Sequence, residues 1–310
     1  MAEQGAHYSI GLDLGGTNLR AASVDRQGRV LQLISRPTMV AEGREAILSA
    51  MADAITRLRR TQGTQTLAGI GIGLPGFIDA DKGVIRNSNN LASLENFPIR
   101  EELSRRLNAR VILENDANAA ALGELWLGAG RGVDNLLLLT LGTGVGGGII
   151  AGGHVLRGAA GMAGEIGHIT VVPGGNPCGC GNRGCLEKHA SATAVSAMAQ
   201  LMGLGPGLSG REVFDRAVAG DARARRVFEA MGESLGIAMA TLVNIFNFPL
   251  YLLGGGAAEA WEFFAPSMFA ELTRRSFTYR ATPTRVEKAE LGTQAGLYGA
   301  ALLPWRTICS

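Results

Sequence analysis

Residues 8–25 read YSIGLDLGGTNLRAASVD, and this stretch decides the fold. Its apolar start predicts a buried strand, the two glycines predict a tight turn, and the end predicts a second strand. Backbone N–H groups of Gly15 and Gly16 and the hydroxyl of Thr17 can approach phosphate oxygens in such a turn. Asp13, at the strand end, is able to hold Mg²⁺ through water. An ordinary hairpin turn explains the stretch equally well when it is taken alone.

The same pattern restarts later in the chain. Residues 135–153, NLLLLTLGTGVGGGIIAGG, again read as a strand, a glycine-threonine loop with Thr143 and Gly144, and a strand. Two such loops, each opening an α/β unit, are what two similar lobes that bind one nucleotide require. A third glycine run with Gly255 and Gly256 ends a buried strand. It suits a flat adenosine against the backbone, or simply a turn into a helix.

The remaining pattern interleaves strands with helices. Gln27-Gly28 predicts a hairpin turn, and five apolar residues at helical spacing predict a helix over 44–60: Ile47, Leu48, Met51, Ile55 and Leu58. Further strands are expected at 67–73, 110–115 and 250–256, and further helices near 191–202, 210–219 and 222–247. This alternation predicts an α/β fold.

Composition and charge narrow the function classes. The 310 residues are 46% hydrophobic and 18% charged, which is typical of globular proteins, and 45 glycines cluster in short runs. The net charge is +2 without a long block of one sign. The basic stretches 57–60 and 105–110 fall at predicted helix ends, so we expect no nucleic-acid partner.

No membrane or secretory segment is predicted. The N-terminus lacks a basic segment followed by an apolar one. The uncharged stretches 135–153 and 234–258 are interrupted by glycine, asparagine and proline, whereas a span needs about 20 mostly apolar residues. Few, clustered cysteines suit metal binding in a reducing compartment, which predicts a cytoplasmic protein.

ENDANAA (114–120) lies where a strand passes into a helix. A carboxylate there, Asp116, sits at the sheet edge where ligands of open α/β folds bind. An aspartate can accept a hydroxyl proton during phosphoryl transfer. Alternatively, Asn115 or Asp116 simply caps the helix.

GMAGEIGH (161–168) places Glu165 and His168 among small residues, a combination typical of polyol binding. His168 also precedes a cysteine cluster, and the four residues His168, Cys178, Cys180 and Cys185 have the Cys3His composition of closed structural zinc sites. Reduced cysteines without metal are the alternative. Cys309 is an unrelated thiol. The cluster is either a zinc module that itself binds a macromolecule such as nucleic acid, or a structural metal site that stabilises a loop within an enzyme.

Seven motifs occur in order across nearly the whole chain: DLGGTN, NNL, ENDANAA, LGTGVGGG, GEIGHI, CGCGNRGCLEKHAS and LGGG. Together they resemble the ROK family, which includes bacterial sugar kinases and sugar-responsive repressors. The resemblance implies a two-lobed ribonuclease-H-like (actin/hexokinase-like ATPase) α/β fold with a zinc-braced loop in the larger lobe. The smaller lobe would comprise residues 1–117 with a returning helix at 294–310, and the larger lobe residues 118–293.

The resemblance also implies roles for individual residues. Asp116 would be the base for the 6-hydroxyl of a hexose, with glucose first among candidates. The sugar would be held by Gly76, Asn90, Asn115, Asp116, Glu165, His168 and Glu187. ATP with Mg²⁺ would lie around Asp13, Gly15, Gly16, Thr17, Thr143, Gly144, Gly255 and Gly256. Zinc would be bound by His168, Cys178, Cys180 and Cys185.

Several alternatives stay open at the level of sequence. Ser93-Leu94 stands where glucokinases of the family often carry Gly-Trp, which weakens the choice of sugar. Another hexose or N-acetylhexosamine is therefore an alternative acceptor: N-acetylmannosamine, N-acetylglucosamine, fructose or allose. A sugar-sensing repressor is less expected, because its DNA-binding domain would precede a glycine loop that here begins at residue 13. A homo-oligomer, dimer or tetramer, is also expected.

Overall fold

The computed structural model describes residues 6–306 except residue 89. The thiol predicted at Cys309 and the end of the helix predicted at 294–310 lie outside the described residues. The strands are β1 Ala6–Leu14, β2 Asn18–Asp25, β3 Val30–Pro37, β4 Thr66–Leu74, β5 Phe77–Asp79, β6 Val84–Asn87, β7 Val111–Asn115, β8 Leu136–Leu141, β9 Val145–Ala151, β10 His154–Val155, β11 Leu250–Gly254 and β12 Arg285–Lys288.

Ten α-helices join these strands in the described chain. They are α1 Arg44–Thr61, α2 Ile99–Leu107, α3 Asp116–Leu127, α4 Glu187–Ala190, α5 Ala192–Leu201, α6 Gly210–Val218, α7 Ala222–Phe246, α8 Trp261–Arg275, α9 Phe277–Ala281 and α10 Ala295–Arg306. Short 3-10 helices occur at Ala92–Leu94, Ile166–His168, Gly256–Ala260 and Gly292–Gln294.

The first sheet has the order β3-β2-β1-β4-β7. The predicted hairpin is present, since β1, β2 and β3 are antiparallel neighbours. β4 and β7 then run parallel to β1, and register pairs Asp13 with Gly73 and Leu74 with Asn115. The carboxyl ends of three parallel strands therefore meet at one edge, and Asp13 and Asn115 both lie there.

The second sheet has the order β10-β9-β8-β11-β12, which repeats the order of the first. β9 and β10 are antiparallel, whereas β8, β11 and β12 are parallel. The sequence repeat between residues 8–25 and 135–153 is thus a repeat of topology. The predicted α/β fold is confirmed, and the structure shows that it contains two mixed sheets.

The chain divides into two compact units. Among the described residues, the first contains those up to Asp134, Gly148–Ala163 and 294–306, and the second contains Asn135–Gly147 and Gly164–Thr293. This division lies later in the chain than the boundary expected after residue 117, and it returns a second segment to the first unit. The expected lobes, residues 1–117 with 294–310 and residues 118–293, stay a prediction.

The core of the first unit forms where the sequence predicts it. All five apolar residues of the predicted helix are completely buried on α1. α10 packs against β1, β4 and α3 on the other side of the sheet, and its backbone lies close to the backbone of β4. A Cβ on Gly71 of β4 would lie 1.9 Å from the Ala300 carbonyl oxygen, so this contact requires glycine.

The two uncharged stretches have the predicted structures. Residues 135–153 form β8, a loop and β9, and residues 234–258 form the end of α7 followed by the buried strand β11. Among the helices that the structure describes, none combines the length and apolarity needed to cross a membrane.

Candidate functional site

The first glycine loop connects β1 to β2 at the carboxyl edge of the first sheet. Gly15 N donates to Asn18 O at 2.9 Å, which closes the turn. Asp13 is the last polar residue of β1, and a Cβ on Gly296 of α10 would lie 3.3 Å from its Cγ. Burial raises the pKa of this carboxyl, while Arg20 opposes the shift. The loop thus carries a half-buried acid beside N–H groups, a combination that suits a metal-nucleotide complex.

Asp116 begins α3 directly after β7, as expected for a carboxylate at the sheet edge. Asn115, not Asp116, is the helix cap, because its Oδ1 accepts from Ala117 N at 2.9 Å and from Asn118 N at 3.1 Å. Oδ1 of Asp116 accepts from Ala117 N at 2.8 Å and from Asn115 Nδ2 at 3.1 Å. These two donors fix the orientation of the carboxylate. Capping therefore does not explain Asp116, and its role as a base stays a prediction.

Gly76 and Asn90 lie close to these elements in the first unit. Gly76 has φ 107°, and a Cβ there would meet the Asn87 carbonyl oxygen at 2.3 Å, so the turn requires glycine. Its carbonyl oxygen accepts from Asn115 Nδ2 at 3.1 Å. A Cβ on Gly16 would lie 3.5 Å from Cγ of Asn90, which places that amide beside the first glycine loop.

An ion pair between buried Glu114 and exposed Arg157, behind Asp116, was not among the residues predicted from sequence. Glu114 is 2% exposed, and its Oε2 accepts from Arg157 Nη2 at 2.5 Å and Nε at 3.1 Å. The other oxygen accepts from Asn115 N and from Asn118 Nδ2, both at 3.1 Å. The two residues are 43 positions apart in sequence. No local pattern signals such a pair.

The second glycine loop lies between β8 and β9, as predicted. Gly142 N donates to Gly144 O at 2.9 Å. Glu187, the first residue of α4, accepts from Val145 N through Oε2 at 3.2 Å. A Cβ on Gly144 would lie 2.4 Å from that oxygen, so the loop and the carboxylate are in close contact. Glu187 is thereby held beside the loop that carries Thr143.

His168, Cys178, Cys180 and Cys185 converge in the second unit, with their ligand atoms all within 4.8 Å of one another. Nδ1 of His168 lies 3.6 Å from Cys178 Sγ, and the sulfurs of Cys180 and Cys185 are 3.7 Å apart. Tetrahedral zinc with bonds of about 2.3 Å requires sulfur atoms about 3.8 Å apart. A disulfide requires about 2.05 Å. The geometry therefore fits the predicted Cys3His zinc site.

Backbone hydrogen bonds hold the segment 178–185, which carries the three cysteines, in a fixed turn. Cys178 N donates to Asn182 O at 2.8 Å, and Gly181 N donates to Cys178 O at 3.0 Å. Burial raises the pKa of Cys185 to about 12, and hydrogen bonds to the neighbouring thiols add to the shift. A hydrogen bond from the Asn182 backbone is the main cause of a lowered pKa at exposed Cys180.

Glu165 and His168 are adjacent, as their spacing predicts. Nε2 of His168 lies 3.8 Å from Glu165 Oε2, while Nδ1 faces the thiols. Partial burial raises the pKa of the Glu165 carboxyl; the nearby His168 opposes the shift and Glu187 adds to it. The histidine can thus bind metal through one ring nitrogen and meet a polar ligand through the other.

A cavity of about 380 Å³ lies within the second unit beside the second loop. Its walls are mostly small or aromatic side chains, with one charged pair. They are Gly142, Thr143, Ala192, Val195, Gly210, Arg211, Phe214, Phe228, Gly256, Ala257, Glu259 and Ala260. This volume and lining suit a flat, mainly apolar group such as a nucleoside base.

Only Thr143 and Gly256 of these walls were predicted from sequence. Gly255, which precedes Gly256, has φ 85° and backs onto the Leu141 backbone, where a Cβ would meet the carbonyl oxygen at 2.5 Å. Arg211 donates to Glu259 at 3.0 Å, and its guanidinium lies 5.3 Å from the centre of the Phe214 ring. Arg211 and Phe214 lie three residues apart and therefore on one face of α6, and this spacing is the only signal of their contact in the sequence.

Ser93 and Leu94, at the departure from the glucokinase pattern, lie in the 3-10 helix after the described part of the NNL motif. Leu94 is completely buried in the core of the first unit. The Ser93 carbonyl oxygen accepts from Arg44 Nε at 2.8 Å. At this position the chain therefore has a leucine that packs into the core of the first unit.

The profile of the ROK family matches residues 9–306. The glucokinase of Thermotoga maritima is 38% identical, with the alignment covering 94% of this chain and 95% of that protein. The structure is similar to that of a ROK hexokinase from Thermus thermophilus, with a TM-score of 0.85, 39% identity and coverage of 97% and 99% of the two chains. A ROK family glucokinase from Streptomyces griseus, solved with glucose and AMPPNP, gives a TM-score of 0.82 at 33% identity, with coverage of 96% and 99%.

A repressor also belongs among the similar proteins. The xylose repressor of Caldicellulosiruptor bescii is 32% identical, and the alignment covers 94% of this chain and 76% of the repressor.

Proposed function

This chain belongs to the ROK family, and on that premise we propose that it transfers the γ-phosphoryl group of ATP to the 6-hydroxyl of glucose. The products are ADP and glucose 6-phosphate, so the protein is a sugar kinase that feeds glycolysis. The similarity to glucokinases over nearly the full length of both chains supports this choice.

The observation that carries the proposal is the position of Asp116. It lies at the carboxyl end of a parallel strand, in the same sheet edge as the Asp13 loop, with its carboxylate oriented by Ala117 N and Asn115 Nδ2. An acid held at this edge is placed where α/β folds bind ligands.

Asp116 acts as the general base. As the 6-hydroxyl oxygen attacks the γ-phosphorus, its proton passes to the Asp116 carboxylate, and the bond from phosphorus to the bridging oxygen of ADP breaks. Because two donors hold Oδ1, little reorientation of the carboxylate accompanies the step.

The two glycine loops bind the phosphates of ATP. Their N–H groups, with the hydroxyls of Thr17 and Thr143, stabilise negative charge on the phosphoryl oxygens. Asp13 would hold the Mg²⁺ that accompanies ATP, and a half-buried carboxylate beside the loop is a hard oxygen donor of the kind that magnesium prefers. When bound, the cation offsets phosphate charge. The base of ATP occupies the cavity at Phe214 and Gly256, with Gly255 behind it.

The sugar hydroxyls are held by amides, carboxylates and an imidazole. Asn90, Asn115, Glu165, His168 and Glu187 supply both donors and acceptors, which a polyol requires. Gly76 shapes the turn that Asn115 anchors.

Zinc at the Cys3His cluster would hold two of these sugar-binding residues, His168 and Glu187, in position. The metal would bind Nδ1 of His168, leaving Nε2 to the sugar, and it would fix the loop that ends immediately before Glu187. Its chemistry is structural, because four protein ligands leave no open position. The cluster is therefore not a nucleic-acid module.

The protein forms a dimer or tetramer and is located in the cytoplasm. The reduced thiols of the cluster and the use of ATP favour that compartment.

An assay of ADP release tests the function. Purified protein with ATP and Mg²⁺ is offered glucose, fructose, allose, xylose, N-acetylglucosamine and N-acetylmannosamine in turn. Glucose should give the highest kcat/KM, with glucose 6-phosphate formed in equal amount to ADP. A higher value for another acceptor would replace glucose, and no stimulation by any sugar would leave the repressor as the better interpretation.

A further inference from the structure

Each glycine loop is held from behind by hydrogen bonds to its carbonyl oxygens. In the first unit, Thr38 Oγ1 donates to Gly15 O at 2.7 Å and Thr38 N donates to Thr17 O at 2.8 Å. In the second unit, Thr193 Oγ1 donates to Thr143 O at 2.7 Å, and Ala192 N donates to Gly142 O at 2.8 Å. Both loops thus receive one threonine hydroxyl and one backbone N–H.

These bonds determine the direction of the loop N–H groups. In a planar trans peptide, the carbonyl of one residue and the N–H of the next point to opposite sides. Since Thr38 holds the Gly15 carbonyl, the Gly16 N–H points away from Thr38. By the same argument the Gly144 N–H points away from Thr193, and the Thr143 N–H points away from Ala192.

A loop without these bonds has a competing conformation. Glycine populates a wide range of backbone angles, so the Gly15–Gly16 peptide can rotate and present its carbonyl oxygen in place of its N–H. An oxygen in that position repels a phosphate, whereas an N–H attracts it. Ligand binding would then require the peptide to be reoriented, which weakens apparent affinity.

We propose that Thr38 and Thr193 are positioning residues, whose hydroxyls lock the two loops with the N–H groups of Gly16 and Gly144 directed at the phosphates of ATP. The inference rests on the proposed function, because it takes the loops to be the phosphate site. It assigns a role to two residues outside the loops, 23 and 50 positions from the carbonyls they hold.

The two hydroxyls differ in their expected effect. Thr38 is half-buried, whereas Thr193 is exposed, so water can replace its bond to Thr143 O more easily. One net hydrogen bond changes an equilibrium by roughly threefold to tenfold. Loss of the Thr38 hydroxyl should approach the upper value and loss of the Thr193 hydroxyl the lower one.

Substitution by valine separates positioning from folding. Thr38→Val keeps the shape of the side chain and the backbone bond to Thr17 O but removes the hydroxyl. Thr38→Ser keeps the hydroxyl. The matched control is Thr61→Val, which removes a hydroxyl that donates to Leu58 O at 2.7 Å on α1.

The test is the Kd of a non-hydrolysable ATP analogue, measured by calorimetry, together with the KM for glucose. Thr38→Val should raise the Kd about tenfold and Thr193→Val about threefold, with glucose KM unchanged, while Thr38→Ser and Thr61→Val bind normally. An unchanged Kd in Thr38→Val, or a loss that falls on glucose KM instead, would overturn the inference. A wild-type protein that neither binds the analogue nor phosphorylates a sugar would overturn the proposed function itself.

Discussion

The guanidinium of Arg157 donates two hydrogen bonds to Oε2 of Glu114, from Nη2 at 2.5 Å and from Nε at 3.1 Å. Glu114 is 2% exposed, whereas the side chain of Arg157 is 44% exposed. The carboxylate also accepts from the Asn115 backbone, so the pair lies directly behind the turn that presents Asp116.

Arg157→Met should destabilise the protein because it leaves a buried carboxylate without its cation. The expected loss is about 1–3 kcal/mol, below the 3–5 kcal/mol typical of fully buried pairs because water reaches Arg157. Urea denaturation measures it. Glu114→Gln should recover part of the loss in the Arg157→Met background. Arg105→Met, which breaks an exposed pair with Glu102, is the control, and an equal effect in both variants would contradict this account.

The half-buried carboxyl of Asp13 affects both the stability of the ligand-free protein and, through its proposed role at Mg²⁺, the activity. Burial raises its pKa in the folded protein. The folded state therefore binds this proton more tightly than the unfolded chain, and the resulting stabilisation is present at low pH and lost as pH rises through the raised pKa. Above the raised pKa, the ionised carboxylate destabilises the ligand-free protein.

Asp13→Asn should raise the Tm of the ligand-free protein at pH 7 and lower turnover by roughly 10²-fold or more, because the carboxylate proposed to hold Mg²⁺ is removed. The gain in Tm should shrink as pH falls and wild-type Asp13 becomes protonated. Asp53→Asn, on an exposed side chain of α1, should change neither quantity. A variant less stable than wild type at every pH would disprove the link.

If zinc holds the proposed sugar-binding residues in place, its loss should weaken the binding of glucose more than the binding of ATP. Cys180→Ser should lower zinc content, measured by elemental mass spectrometry, and raise the KM for glucose more than the KM for ATP. The reason is that the proposed zinc would bind His168 and fix the loop that ends immediately before Glu187, whereas residues 178–185 do not line the cavity proposed for the base of ATP. Cys309→Ser is the control. Full zinc loss with unchanged glucose KM would show that the metal stabilises the fold alone.

Much of the fold could be predicted because it follows local pattern. The five buried residues of α1, the glycine turn after β1 and the repeat of that unit at β8 are all periodic features of the sequence. The Cys3His cluster was also predictable, because three of its four residues lie within eight positions.

The supporting contacts could not be predicted in the same way. Glu114 and Arg157 meet across 43 residues, and Thr38 and Thr193 reach loops that precede them by 23 and 50. Such pairs depend on tertiary packing, which leaves no period in the sequence. The helix cap at Asn115 was one of two alternatives, and only its hydrogen bonds to Ala117 N and Asn118 N distinguish it from Asp116.

Turnover of Asp116→Asn, measured with its glucose Kd, tests the central claim most directly. The substitution keeps the size of the side chain but removes the proton acceptor, so kcat should fall by roughly 10²–10⁴-fold while glucose binds nearly as in wild type. Near-normal turnover in this variant would contradict the assignment of Asp116 as the base that activates the 6-hydroxyl.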